Sequence, residues 1–356
     1  MRITSVEVSP LNLELQTALT VAYGSYPVLE YALLTLHTDD GLVGLGEASP
    51  DPEVTGETQP IILEGFAQVK SLLLGQSPFD IVPILNACMA IIPDKPAVLA
   101  AIDMALYDLM GKALNVPLYQ LLGGQSRENI ELYPVIPLNE PQVMAAMSKS
   151  FSSAGARVLK IKLGSDPQND LLRVQAIHDA VGSEIILRPD INQGWRDAKT
   201  AIDAIHKLKP FNIEYIEQPV KANDLAAMAA VTAAVDLPIM ADESCHGPQD
   251  VYNISEQKAA DWINIKLMKC GGITQAMKML AIAEAAGLPC ILGSMGESSI
   301  GSAAGLHLSL AQAALQSSEL IGPYFINNDP AGGYTIDPTI FRAYPSQQPG
   351  LGVWLT

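Results

Sequence analysis

The chain begins with an alternation of apolar and polar residues, MRITSVEVSPLNLEL, which predicts a strand. Tyr31 to His37 (YALLTLH) is rich in strand formers, and Thr38-Asp39-Asp40-Gly41 reads as a turn before Leu42 to Ala48 returns as an antiparallel partner. The period then changes. After Pro96, a residue suited to a helix's first turn, Val98, Ile102, Ala105 and Leu109 fall at helical spacing. A strands-then-helices unit therefore ends near Gly123-Gly124. From about residue 130, short apolar runs alternate with amphipathic stretches of helix length. The runs are Leu132–Ile136, Val158–Lys162, Ile185–Asp190, Glu214–Glu217, Pro238–Asp242, Trp262–Lys266 and Pro289–Gly293. This is the pattern of parallel strands buried on both faces. With a weaker eighth run near Glu319–Ile321, the count favours a closed α/β barrel over an open doubly wound sheet. The Gly- and Pro-rich tail from Gly332 to Thr356 is expected to fold back onto the N-terminal unit, which becomes a cap.

Composition narrows the functional classes. In 356 residues, 49% are hydrophobic and 17% charged, enough for one large buried domain and a lid. A formal net charge of -17 makes nucleic acid and anionic membrane surfaces poor partners. An acidic protein that binds an anionic substrate needs a metal or local lysines to do so. Cys88, Cys245, Cys270 and Cys290 form no CxxC pair and read as buried thiols of a reducing compartment. The N-terminus lacks the apolar core of a signal peptide, and no run reaches membrane-spanning length, so a cytoplasmic location is expected. No GxGxxG or P-loop follows any strand, which leaves a nucleotide site without support.

Polar residues recur where the strands stop: Lys160 and Lys162, Asp190 and Asn192, Glu217, Asp242 with Glu243, then Asn264 and Lys266. Each group follows the last by about one βα unit, which places all of them on the C-terminal face of the barrel, where such folds carry their chemistry. Residues two apart point the same way, so Lys160 and Lys162 both face inward. An isolated Asp at a strand end is usually a helix cap, and an isolated Lys a solvated charge. Three acids from adjacent strands are another matter, because Asp190, Glu217 and Asp242 repel one another unless a cation sits among them. Oxygen ligands without His or Cys favour Mg2+, with Mn2+ as a substitute. Lys162 and Lys266 stand on strands four apart and can approach a substrate carbon from opposite faces. A proton next to a carboxylate is very weakly acidic, and a metal on the carboxylate oxygens stabilises the enediolate its removal creates. A lysine whose pKa is lowered by nearby cations can take that proton, and a second can return one. Asn192 and Glu243 are candidates for supporting hydrogen bonds. Lys269 is expected on the turn or helix that follows, outside the catalysis.

These motifs resemble the enolase superfamily, in particular its muconate-lactonizing-enzyme branch. Val158–Lys162, Asp190 with Asn192, Glu217-Gln218-Pro219, Asp242-Glu243-Ser244 and Asn264–Gly272 carry the likeness. Gly46-Glu47-Ala48, Ala105–Leu109 and Gly111-Lys112 extend it into the cap. The resemblance implies a modified TIM barrel, (β/α)7β, over 126–322, with an α+β capping domain from 1–125 and a C-terminal segment, 323–356, returning to it. It also implies Mg2+ on Asp190, Glu217 and Asp242, Lys162 and Lys266 as acid/base pair, Lys160 as electrostatic support, and a homo-oligomer. The last strands carry no histidine at Ile291–Glu297, which favours the lysine/lysine branch. Within it the chain looks most like dipeptide epimerases, through Val54–Thr58 and Asn192-Gln193-Gly194-Trp195. Those enzymes carry an Asp-x-Asp at the eighth strand for the substrate's ammonium group, and here Glu319-Leu320-Ile321 stands in its place. The substrate class thus widens to a dipeptide or an N-substituted or cyclic amino acid. A cycloisomerase or dehydratase using the same enediolate is the enzymatic alternative. A metal-dependent binding protein is the non-enzymatic one, opposed by the intact lysines and acids. Tyr23, Ser294, Met295, Glu297, Glu319 and Ile321 are candidate substrate contacts, and Trp195 is a candidate stacking surface for a cationic ligand.

Overall fold

The computed structural model describes residues 1–356. The cap is a three-stranded antiparallel sheet, β1 (Ile3–Val21), β2 (Gly24–Thr38) and β3 (Val43–Ala48), followed by α1 (Gln59–Leu73), α2 (Ile81–Ile91), α3 (Pro96–Leu114) and the single turn α4 (Leu118–Leu121). Two long neighbouring strands with alternating burial build the sheet, and α3 packs across it. Gly44 and Gly46 permit that packing, since a Cβ on them would lie 2.5 Å from the Ala105 carbonyl and 2.0 Å from the Ala101 carbonyl. No larger residue fits between this strand and this helix.

After β4 (Ile130–Glu131) comes the parallel sheet of β5 (Val135–Ile136), β6 (Val158–Lys162), β7 (Ile186–Asp190), β8 (Ile216–Glu217), β9 (Ile239–Ala241), β10 (Trp262–Ile265), β11 (Cys290–Leu292) and β12 (Leu315–Ser318), hydrogen-bonded in chain order. The connecting helices are α5 (Pro141–Ala154), α6 (Pro167–Val181), α7 (Ala198–Leu208), α8 (Leu225–Ala234) and α9 (Pro248–Gln257). The short α10 (Leu267–Cys270), α11 (Ile273–Ala286) and α12 (Ser299–Ala311) complete them. A parallel bridge from Leu132 to Ser318 brings the eighth strand back beside the first. The result is the (β/α)7β arrangement that the strand count and the family likeness imply.

Two strands differ from their sequence-based placement. Pro134 lacks an N–H and interrupts the run Leu132–Ile136, so only Val135–Ile136 forms a strand beside β6, while Leu132 meets the barrel through its single bridge to Ser318. The eighth strand is Leu315–Ser318, just before the expected Glu319–Ile321. Its apolar signal is weak because Ser317 and Ser318 are buried and bond to Arg188 and to the Leu292 carbonyl.

The tail consists of α13 (Gly322–Phe325), β13 (Ala331–Gly332), β14 (Thr335–Asp337), β15 (Arg342–Tyr344) and β16 (Trp354–Leu355). It contacts the cap, where Leu351 N donates to Asp108 Oδ1 and Asn327 N donates to Glu14 O. It also touches the barrel, where β15 pairs with β4. The four cysteines are buried and unpaired in disulfides, and no helix is long and apolar enough to cross a membrane.

Candidate active site

Strand register assembles the polar residues. Lys162 lies opposite Asp190, and Asp190 opposite Glu217, across β6, β7 and β8, while Asp242 follows β9 directly. All three acids are fully buried, and one oxygen from each lies within 4.8 Å of the others. Neighbouring oxygens around an octahedral Mg2+ stand about 3 Å apart and opposite ones about 4.2 Å, so the three would draw together on a bound ion. Glu217 Oε2 and Glu243 Oε2 are buried and accept no hydrogen bond, although Lys160 Nζ lies 2.9 Å from the former. Buried oxygens lacking donors, in a set with no sulfur or imidazole, fit a hard divalent cation.

The lysines surround this cluster. Lys160 Nζ is fully buried and donates to Glu319 Oε1 at 2.6 Å and Glu217 Oε1 at 3.0 Å, with Asp190 Oδ2 at 2.9 Å. Lys162 Nζ donates to Asp190 Oδ2 at 2.7 Å and Asn192 Oδ1 at 3.2 Å. Lys266 Nζ reaches Asp242 Oδ2 at 2.8 Å. Burial raises the Asp190 carboxyl, but Lys160 and Lys162 outweigh it and hold the group at about 2. Asp242 is likewise held well below the carboxylate range, by Lys266 and Lys269 against burial. Glu217 moves the other way, pushed up by burial and by the charge of Asp190. The expected lowering of a lysine pKa is not found at Lys266. Burial lowers it, but the Asp242 charge prevails and raises it above the ordinary lysine value. With carboxylates facing it, the ammonium form is favoured, and a cation drawing on those oxygens weakens that pull.

A cavity of about 460 Å³ opens above the cluster. Lys162, Lys266, Asn192 and Tyr23 line it, as do Ser294, Met295, Glu319 and Ile321. Lys162 and Lys266 are its only cationic side chains, and apolar residues such as Leu19, Val21, Phe151 and Phe325 form much of its wall. Glu243 lies behind Asn192, whose Nδ2 donates to Glu243 Oε1 at 3.0 Å.

Two candidates are not brought to the cavity. Glu297 turns away and accepts from Met295 N at 3.0 Å and from the Ser294 hydroxyl, so it shapes its own loop. Trp195 is 3% exposed and donates its indole N–H to Asp170 at 2.9 Å, a packed barrel residue and no stacking surface.

Other residues escaped the sequence argument. Gln218 adopts φ 38°, and its Oε1 accepts from Asp242 N and Ser244 N at 3.0 and 3.1 Å, fixing the end of β9. Asn264 Nδ2 donates to Glu217 Oε1 at 2.8 Å. Lys269, on α10 as expected, donates to Asp242 Oδ1 and to two backbone carbonyls. Gln218 and Asn264 lie within the quoted motifs, but nothing in their spacing shows what they hold.

Comparison with known proteins agrees with this geometry. Residues 3–123 match the mandelate racemase / muconate lactonizing enzyme N-terminal domain, and residues 142–356 match the enolase C-terminal domain-like family. N-succinyl-L-Arg/Lys racemase of Bacillus cereus is 37% identical over 99% of this chain and 95% of its own. Hydrophobic dipeptide epimerase of Enterococcus faecalis is 40% identical over 94% of each. The structure of dipeptide epimerase from Enterococcus faecalis V583, complexed with Mg and the dipeptide L-Leu-L-Tyr, superposes with a TM-score of 0.95 at 38% identity and covers 99% of both chains. Cap and barrel are thus both matched, and the chain belongs to the enolase superfamily, as an isomerase with the N- and C-terminal domains of the mandelate racemase / muconate lactonizing enzymes.

Proposed function

We propose that this enzyme is a Mg2+-dependent racemase or epimerase acting on the carbon next to the carboxylate of an N-substituted amino acid, a dipeptide or a cyclic amino acid. The observation that carries the reading is the pair Lys162 and Lys266, on strands four apart, lining one cavity above a buried carboxylate cluster. Asp190, Glu217 and Asp242 are the residues to hold the cation, which supplies positive charge against the substrate carboxylate. One lysine, in its neutral form, takes the α-proton, and the electron pair of the broken C–H bond moves onto the carboxylate. The opposite lysine, as ammonium, returns a proton to the other face of the same carbon, which inverts it. Lys160, held by Glu217, Asp190 and Glu319, keeps a fixed positive charge beside the developing negative one. Mn2+, with the same preference for oxygen, is proposed as a substitute.

The amine side of the site supports an N-substituted substrate. Glu319 already compensates Lys160, and Ile321 is apolar and buried, so a free ammonium group finds little unpaired negative charge there.

Proton NMR in D2O with Mg2+, over a panel of N-acyl amino acids and dipeptides, tests the reading. Loss of an α-proton signal with formation of the epimer, abolished in both Lys162→Ala and Lys266→Ala, is the expected result. An exchange-free panel rejects it and turns the search to muconate-like and hydroxy-acid substrates.

A further inference from the structure

Gly46-Glu47-Ala48 belongs to the cap, yet its acid does not serve the cap. Because Gly44 and Gly46 face α3, the alternation of the strand turns Leu45 and Glu47 the other way, toward the barrel. Leu45 joins the barrel's hydrophobic core, and Glu47 is buried at the start of α12. Glu47 Oε1 accepts from Ser298 N at 3.0 Å and from Ser49 Oγ at 3.0 Å. Its Oε2 accepts from Gly301 N at 3.1 Å and from the Ser298 hydroxyl. A carboxylate from one domain therefore takes two of the N–H groups at the start of a 13-residue helix in the other, Ser298 N and Gly301 N, while Asp329 Oδ2 takes Ser299 N and Ser298 Oγ takes Ile300 N.

What precedes that helix is the loop Ser294–Ser298, whose Ser294, Met295 and Gly296 line the cavity beside Lys266. A second bond from the cap reaches the same loop, because the Tyr31 hydroxyl on β2 donates to the Met295 carbonyl. Within the loop, Glu297 accepts from Met295 N, and Gly296 N donates to Ser294 Oγ at 2.9 Å. The loop has no strand or helix of its own, so its place at the mouth is set by what grips it at either end. Glu47 is not among the residues that line the cavity, whereas Tyr31 is.

We propose that Glu47 is a positioning residue, which fixes the β11–α12 loop so that Ser294 and Met295 close the cavity over a substrate held between Lys162 and Lys266. The enzyme then binds substrate more tightly with the cap docked through this carboxylate, and the cap contributes to substrate affinity without entering the proton transfer. This role rests on the isomerase reading above. Glu47→Gln retains shape and one acceptor oxygen but offers an NH2 group where Gly301 N or Ser298 N needs an acceptor.

Kinetics and backbone exchange together test the assignment. For a panel substrate that turns over, Glu47→Gln is expected to raise KM about tenfold with kcat within about threefold, as uniform binding is lost. Glu47→Ala is expected to raise KM further, which makes the conservative variant a partial rescue. Equal losses in kcat and kcat/KM, or no change in either, overturn the proposal. Hydrogen exchange of the free protein, read without any substrate, keeps the result separate from the isomerase reading. Amides over 294–301 are expected to exchange at least about tenfold faster in Glu47→Gln, with those over 158–163 unchanged, and an unaltered 294–301 segment also overturns it. Should Glu47→Gln fail to fold, Tyr31→Phe removes the other grip on Met295 and is expected to move KM and loop exchange in the same directions. No movement of either refutes the role.

Discussion

At the barrel mouth, Asp190 and Asp242 face lysine ammonium groups; at the seam between cap and barrel, Glu47 and Asp103 face backbone N–H groups. Burial is the same in both places, and all four side chains are sealed from solvent. The charges behave in opposite ways. Lys160 and Lys162 hold Asp190 at about 2, whereas burial pushes Glu47 and Asp103 up to about 7 despite their hydrogen bonds. Two lysines beside one carboxylate outweigh the loss of hydration at Asp190 and Asp242, whereas Lys160 alone does not at Glu217, and the partial charges of amide dipoles do not at the seam. Asp190 and Asp242 thus keep their charge at some expense in stability, as the proposed cation binding and proton transfer require. The seam uses carboxylates for shape. Asp103 on α3 accepts from Thr274 N at 3.0 Å and Thr274 Oγ1 at 2.7 Å, so it docks the cap on α11 as Glu47 docks it on α12.

The sharpest test separates the two regions by metal binding. Asp242→Asn removes a proposed ligand and the partner of Lys266 and Lys269. It is expected to weaken Mg2+ binding by about 100-fold or more and to cut turnover by roughly 10³-fold, by titration calorimetry and α-proton exchange. The corresponding change at the seam, Asp103→Ala, is expected to leave Mg2+ affinity untouched. It instead costs about 4 kcal/mol in urea unfolding, because Thr274 N–H and its hydroxyl lose their acceptor in a buried place.

Glu47 and Asp103 at the seam and Asp190 at the mouth also respond to acid with opposite signs. Glu47 and Asp103 start from 4.5 and 3.8 and stand near 7 in the folded chain. Between those values the folded state holds the more protons, so these groups make stability fall as pH rises toward 7, by on the order of 3 kcal/mol per group. Asp190, lowered from 3.8 to about 2, stabilises above pH 3.8 and loses that contribution as pH falls toward 2. Urea unfolding of the metal-free protein from pH 5 to 7.5 is expected to flatten in the double variant Glu47→Gln, Asp103→Asn. An unchanged slope dissolves the contrast. The smallest effect concerns a residue of neither region. Trp195→Phe removes the bond to Asp170 and is expected to cost about 1 kcal/mol with KM unchanged, in keeping with a packing role.

Much of this architecture could be read before any coordinates. The helical period after Pro96 marked α3, although the cap's helices begin earlier, at Gln59, and the βα spacing from Val158 to Gly293 marked a barrel. Acids and lysines at successive strand ends pointed to one face, because parallel strands in a barrel all end there. The chain was silent where local pattern carries no apolar signal, as at Leu315–Ser318, whose buried serines bond to Arg188 and Leu292 of other strands.

Sequence alone thus determined which residues arrive at the barrel mouth, since strand periodicity and unit length are local properties. Tertiary structure alone decided what each of them faces there. Glu319 belongs to Lys160 through a contact across 159 positions of chain, and Glu47 leaves its own domain to cap a helix 251 positions away. Whether a buried acid binds a cation, holds a lysine or seals a domain seam depends on charges brought near it by folding, and Coulomb energies follow distance in space, not along the chain.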